Sequence, residues 1–254
     1  HQRGIAVILD VIYNHWGPND LGNSIWQFDG YSATPDTGGI YFFENEFRST
    51  PWGDRPNYTT GEVRSYIRDN VMYWLEEYNM DGIRMDGTAY MRKQYGNEGD
   101  ADVPQGWSLM QWINNEIDAA HPEKINIAED MRNNAWITKT TGEGGAGFDS
   151  QWGDYFYDKL IPAIVTSDDL SRNMYDVRDA ILNLLNGWDT QRVIYTENHD
   201  EAGSSSGKSR VPSQIYWDDP DSYWSKKRST LGAGIVFTSP GIPMLFMGGA
   251  VGHM

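Results

Sequence analysis

"EVRSYIRDNVMYWLEEYNMDGIRMD" occupies residues 62–86 and holds two periods in succession. Over 62–78, Val63, Tyr66, Ile67, Val71, Trp74, Leu75 and Tyr78 recur at helical intervals, which predicts an amphipathic helix with Thr60 or Thr59 as its cap. Over 82–86, GIRMD reads as a short strand that ends on Arg84 and Asp86. Working outward, further strands are expected at 4–11, 125–129, 148–152, 192–197 and 243–247. Helical patterns lie between them at 107–120, 175–186 and about 222–237, the first carried by Leu109, Trp112, Ile113 and Ile117 and stopped by His121-Pro122. Several strand runs are apolar almost throughout, which suits strands covered on both faces. Strand alternating with helix predicts a parallel α/β fold, either a barrel or a doubly wound sheet. Two intervals break the rhythm. Residues 16–60 are rich in Gly, Pro, Asn, Asp and aromatics and read as an irregular excursion between the first strand and its helix. Residues 201–221 read as a rim loop whose GSSSGKSR lacks the spacing of a phosphate-binding loop.

Composition narrows the chemistry. A chain of 254 residues can form one barrel-type domain, and with no cysteine it has neither disulfides nor thiolate zinc sites. No apolar run of ~18 residues is present to span a membrane, and the opening HQRGIAVILD lacks the layout of a signal peptide. Thirty-six acids against 20 bases give a formal charge of −16, which opposes nucleic acid and anionic lipid as partners and favours a neutral or cationic substrate. A soluble surface explains the same charge. Eleven Trp and fifteen Tyr supply flat amphipathic rings suited to stacking on sugars as well as to filling cores.

The polar ends of the strands carry the candidate site. Asp10, Asn14 and His15 close the first strand, Arg84 and Asp86 the second, Glu129 and Asp130 the third, and His199 and Asp200 follow the fifth. In a parallel barrel these carboxyl ends meet at one face. Two carboxyls across a glycosidic bond can hydrolyse or transfer it, one attacking the anomeric carbon and the other protonating the departing oxygen. A gap of ~5–5.5 Å gives retention and ~6.5–9.5 Å gives inversion. Other readings stay open at this level. Asp86 can simply pair with Arg84, and Glu129-Asp130 can cap a helix. His15 and His199 can be structural, or metal ligands with Asp10 and Asp200, though neither sits in an HxH or HExxH arrangement.

DVIYNH (10–15), GIRMDGTAYM (82–91), IAEDM (127–131) and ENHDEA (197–202) resemble, in order and spacing, the four signature regions of the α-amylase family of glycoside hydrolases and transglycosidases. PMLFMG (243–248) resembles the family's last barrel strand. The resemblance implies a (β/α)8 TIM-barrel catalytic domain over residues 1–254. It begins at the family's third strand unit, lacks the first two strand–helix units, and has 16–60 as the excursion after that third strand. It also implies a retaining mechanism with Asp86 as nucleophile, Glu129 as general acid/base and Asp200 as the third carboxylate. Arg84 would hold the nucleophile with Asp10 as its buried counter-charge, and His15 and His199 would bind sugar hydroxyls. Tyr13 would offer a stacking surface. Asn14 matches a calcium-supporting position, but without further ligands no metal and no cofactor is expected.

Residues 62–88, NIAEDM (126–131), GGAGFDSQW (144–152) and IWQFDGY (25–31) look most like glucan branching enzymes. Gly87-Thr88-Ala89 lacks the Lys-His pair many hydrolytic amylases carry after the nucleophile, whereas ENHDEA departs from the usual branching form. The expected substrate is an α-1,4-glucan such as starch, glycogen or a maltooligosaccharide. The expected reaction is transfer to α-1,6 branches, with an endo-acting amylase or an inactive glucan-binding or scaffold fragment as alternatives. A branching enzyme would be cytoplasmic and an amylase extracellular. Exposed edges of a partial barrel would favour self-association that completes it.

Overall fold

The computed structural model describes residues 1–16, 41–203 and 209–249. Much of the expected excursion at 16–60, the IWQFDGY stretch, the middle of GSSSGKSR and the terminal GHM lie outside the described residues. The elements are β1 (Ile8–Ile12), α1 (Gly61–Glu76), β2 (Gly82–Asp86), α2 (Thr88–Arg92), α3 (Pro104–Ala120), β3 (Ile125–Glu129), β4 (Ser150–Trp152), α4 (Tyr155–Val165), α5 (Met174–Leu182), β5 (Arg192–Ile194), α6 (Val211–Ile215), α7 (Tyr223–Thr238) and β6 (Ile242–Pro243). The strands follow the sheet order β1-β2-β3-β4-β5-β6, the connectivity of six consecutive strand units of a (β/α)8 barrel. No helix among the described residues is long and apolar enough to cross a membrane.

Two compact units divide the chain, His1–Gln151 and Trp152–Met254. In the first, β1, β2 and β3 are parallel, with Asp10 opposite Arg84 and Arg84 opposite Ile127. Strand alternation sends Ile83 and Met85 into the core and puts Gly82, Arg84 and Asp86 on the other face. Behind the strands, Val63, Ile67, Val71 and Leu75 of α1 pack with Leu109, Met110, Ile113 and Ile117 of α3 in one apolar cluster. The segment before α1 is fastened by Arg55, which is fully buried and donates to the carbonyls of Tyr90 (2.9 Å), Gln94 (2.6 Å) and Phe47. In the second unit β5 and β6 are parallel, Val193 opposite Ile242, and Met244 N–H donates to Ile194 O at 2.9 Å just beyond the pair.

The strands at 82–86 and 125–129 have the expected limits. Elsewhere the structure corrects the reading. Helix α1 ends at Glu76, so Tyr78 is outside it, and Tyr66 lies at the edge of the apolar stripe; the two are 51% and 60% exposed. Thr60 is the N-cap residue but its side chain makes no capping bond, while Thr59 bonds to Asn57. Helix α3 starts earlier than expected because Pro104 supplies its first turn, where a missing N–H costs nothing. β3 and β4 are joined by 3-10 turns at Ala135–Ile137 and Thr141–Glu143, and the stretch 201–221 contains α6.

Candidate active site

The register that pairs Met85 with Ala128 carries one step further to set Asp86 beside Glu129 on neighbouring strands. Neighbouring strands run ~4.8 Å apart, so these two side chains leave the same face of the sheet as adjacent groups. Between them, one layer down, stands Arg84. Its Nη1 donates to Asp10 Oδ1 and to Asp86 Oδ1, both at 2.7 Å, and its Nη2 lies 2.8 Å from Glu129 Oε1. Burial opposes the charge on this guanidinium, but Glu129, Asp10 and Asp86 together hold it above the ordinary arginine value. One cation thus serves three carboxylates. Asp10 reaches Arg84 as expected, yet its side chain is half exposed rather than buried, because β1 is first in the strand order.

Asp86 and Glu129 each have a second hold. Asn14 Nδ2 donates to Asp86 Oδ2 at 2.7 Å and to Asp86 O at 2.9 Å. Because that amide nitrogen is spent on Asp86, Asn14 Oδ1 is left as acceptor for His15 Nδ1 at 2.6 Å. The imidazole therefore carries its proton on Nδ1 and presents Nε2 as an acceptor. Burial pushes His15 below the ordinary histidine value, and Asp86 pulls the other way. Glu129 Oε2 accepts the Gly87 N–H at 2.8 Å, and Thr88 Oγ1 donates to Glu129 O at 2.8 Å. Gly87 has φ +53°, and a Cβ there would meet Asn14 Nδ2 at 2.6 Å, so the turn joining the two carboxylates needs glycine. Asp130 caps no helix; it is buried and gripped by Arg92 through Nε at 2.8 Å and Nη2 at 2.9 Å.

The sequence expectations fare unequally. Asp10, Asn14, His15, Arg84, Asp86 and Glu129 are brought together in the first unit. His199 and Asp200 belong to the second, where His199 Nε2 lies 3.3 Å from Asp200 Oδ2 and the His199 ring meets Trp152 edge-on. The Asp200 and Glu201 N–H groups both donate to Asn198 Oδ1, which shapes that turn. Tyr13 is corrected: it is 4% exposed and its hydroxyl donates to Asn70 Oδ1, so its ring fills the core instead of offering a stacking face. Among the described residues an aromatic beside His15 is Trp52, 45% exposed, with its ring 5.7 Å from His15 and 5.0 Å from Tyr90. Its signal in the sequence was only its place in an aromatic-rich interval. Among the described residues no three His, Asp or Glu side chains are placed as a metal-donor set.

The family described as "Alpha amylase, catalytic domain" matches residues 18–254. A 1,4-alpha-glucan branching enzyme of Pseudoalteromonas atlantica is 28% identical over the whole of this chain, which covers 34% of that protein. A malto-oligosyltrehalose trehalohydrolase of Saccharolobus solfataricus is 29% identical, again over the whole chain and 44% of the relative. The chain thus spans between a third and a half of the length of these relatives. Among solved structures, a pullulanase of Anoxybacillus sp. LM18-11 in complex with maltotriose superposes with a TM-score of 0.68 at 23% identity, covering 100% of this chain and 35% of that one. An Anoxybacillus alpha-amylase gives a TM-score of 0.65 at 19% identity, covering 100% of this chain and 50% of that one. At these identities the structural likeness is one of fold.

Proposed function

The chain belongs to the alpha-amylase catalytic-domain family, and on that premise we propose that it cleaves α-1,4-glucosidic bonds by double displacement and passes the freed chain to a sugar hydroxyl, forming α-1,6 branches. The observation that carries the proposal is the Arg84-centred pair, Asp86 and Glu129, on adjacent parallel strands. Neighbouring strands run ~4.8 Å apart, and on this proposal the two carboxyls have the ~5–5.5 Å gap of retaining chemistry, not the wider gap of an inverting enzyme.

Asp86 attacks the anomeric carbon while Glu129 gives its proton to the departing glycosidic oxygen, leaving the glycosyl group esterified to Asp86. Glu129, now ionised, takes the proton of the incoming hydroxyl, whose oxygen displaces Asp86 and restores both groups. Arg84 and Asn14 hold one Asp86 oxygen each, fixing the carboxylate for attack. His15 Nε2 accepts a sugar hydroxyl with Trp52 beside it, and Asp200 and His199 keep the hydroxyl-binding role that their motif implies. The branching subclass is favoured by the branching-enzyme relatives and by Gly87-Thr88-Ala89 after the nucleophile. The hydrolytic reading is favoured by the trehalohydrolase relative, since transfer and hydrolysis differ only in whether sugar or water reaches the ester.

Incubation with amylose, scored for new reducing ends and new α-1,6 branch points in one sample, tests the proposal. Branches without matching reducing ends are expected, and Asp86→Asn or Glu129→Gln should lower the rate at least ~10³-fold. Reducing ends alone replace branching by hydrolysis. Glucan binding without turnover in the unaltered chain overturns the catalytic reading altogether.

A further inference from the structure

Arg92 has two sides. One grips Asp130, next to Glu129; the other donates to Glu98 through Nη2 at 2.5 Å and Nη1 at 3.1 Å. On the Glu98 side lies a separate cleft of about 370 Å³, lined by Trp107, Trp136, Lys93, Asp102, Asn134 and Glu98, with Arg92 as its floor. That volume is within the ~300–1,000 Å³ of small-ligand sites. The carboxylate cluster described above contributes nothing to its lining.

We propose that this cleft is a second, non-catalytic carbohydrate site that holds a glucosyl unit of the same kind of chain the carboxylate pair acts on. The identity of the sugar rests on the proposed function; the case for a sugar rests on the cleft itself. Its two indoles are of different kinds. Trp107 is fixed by its Nε1, which donates to Gly144 O at 3.3 Å. Trp136 lines the cleft, is 48% exposed, and has Lys139 Nζ 4.0 Å from its ring centre, so a half-open indole is held beside a cation where a ligand can reach it. Around the rings the polar groups are held in advance. Glu98 is fixed by Arg92 and by Asn134 Nδ2 at 3.1 Å, while about half its side-chain surface stays open to accept hydroxyls. The hydrogen bond from Arg92 keeps this carboxyl below its usual range, hence an acceptor at neutral pH. Lys93 pairs with Asp102 at 2.7 Å and adds a donor beside a largely exposed acceptor.

Charge selects the ligand. Every carboxylate in the cleft has a cation against it, so a cation gains little, and a protein of net charge −16 repels anions. What suits a flat apolar face ringed by neutralised, pre-positioned donors and acceptors is an uncharged polyol with one apolar side, which is a pyranose.

The test uses the full chain carrying Asp86→Asn, so that binding is read without turnover, with glycogen and maltoheptaose as probes in gel-retardation affinity assays. Adding Trp136→Ala should weaken glycogen binding roughly tenfold, the size of a ~1.4 kcal/mol stacking loss, and Trp136→Phe should restore most of it. Glu98→Gln, which keeps the side-chain shape, should weaken it as well and serves if Trp136→Ala fails to fold. In the otherwise unaltered chain, Trp136→Ala should raise KM for long glucan and leave short maltooligosaccharides unaffected. Equal binding by folded Trp136→Ala and Glu98→Gln chains, or no glycogen binding by Asp86→Asn, overturns the proposal. Trp136-dependent binding in a chain with no turnover keeps the cleft and sinks the catalytic reading; turnover with Trp136-independent binding does the reverse.

Discussion

A methyl group at position 87 would strike Asn14, and the backbone there is left-handed. Gly87→Ala therefore carries the ~1–2 kcal/mol cost of that conformation and also shifts the amide that orients Asp86. The expected outcome is a fall of roughly 5 °C in the thermal midpoint together with a lower kcat, read by calorimetry and by the amylose assay. Beside it, His15 gives the site a pH response. Burial lowers its folded value, while the unfolded chain titrates near ~6.5. Below that pH the unfolded state takes up a proton that the folded state resists, so this contribution, complete above ~6.5, is lost as pH falls through the folded value. Urea midpoints at two pH values on either side of ~6.5 should differ less in His15→Gln than in the unaltered chain. At this scale Asp86, Glu129 and Arg84 were legible because they end apolar runs. Trp52 and the Arg92 grip on Asp130 were not, because nothing local in the sequence couples residue 52 to 15 or 92 to 130.

Helix α1 shows what periodicity can and cannot give. The stripe through Val63, Ile67, Val71 and Leu75 is the face that packs, and it was readable from spacing alone. Tyr66 and Tyr78 were included because they are apolar enough and nearly in phase, but whether a helix edge is covered depends on what lies against it. Ile67→Ala should cost ~2–5 kcal/mol and Tyr66→Ala under about 1 kcal/mol, measured by denaturant unfolding; equal losses would mean that the helix is rotated from the position described. Strands β2 and β3 keep their expected limits because Asp86 and Glu129 end the apolar runs. β6 was overdrawn, since an apolar run continues past the two residues that pair.

Over the whole chain, the parallel α/β class was legible from the alternation of strands and helices and the barrel only from the family resemblance of the strand-end motifs, while the division between transfer and hydrolysis was not legible, because both use the same groups. The first strand in sheet order also has a physical consequence. Ile8 and Ile12 are 44% and 49% exposed, on the same face as Asp10, and Ile5 and Val7 beside them are open as well. Such an edge invites pairing. The sedimentation coefficient should rise with protein concentration, and Ile8→Lys with Ile12→Lys should suppress the rise; a constant monomer value in the unaltered chain would remove the expectation.

Arg55 offers a last consequence. Surface ion pairs loosen as electrolyte is added, because counterions crowd between exposed charges. Arg55 instead leans on peptide dipoles sealed away from the medium. The wall that carries Trp52 toward His15 should thus keep its position in brine, so under the proposed function sugar recognition along that rim should be set by shape and hydroxyl pattern with little regard to ionic surroundings.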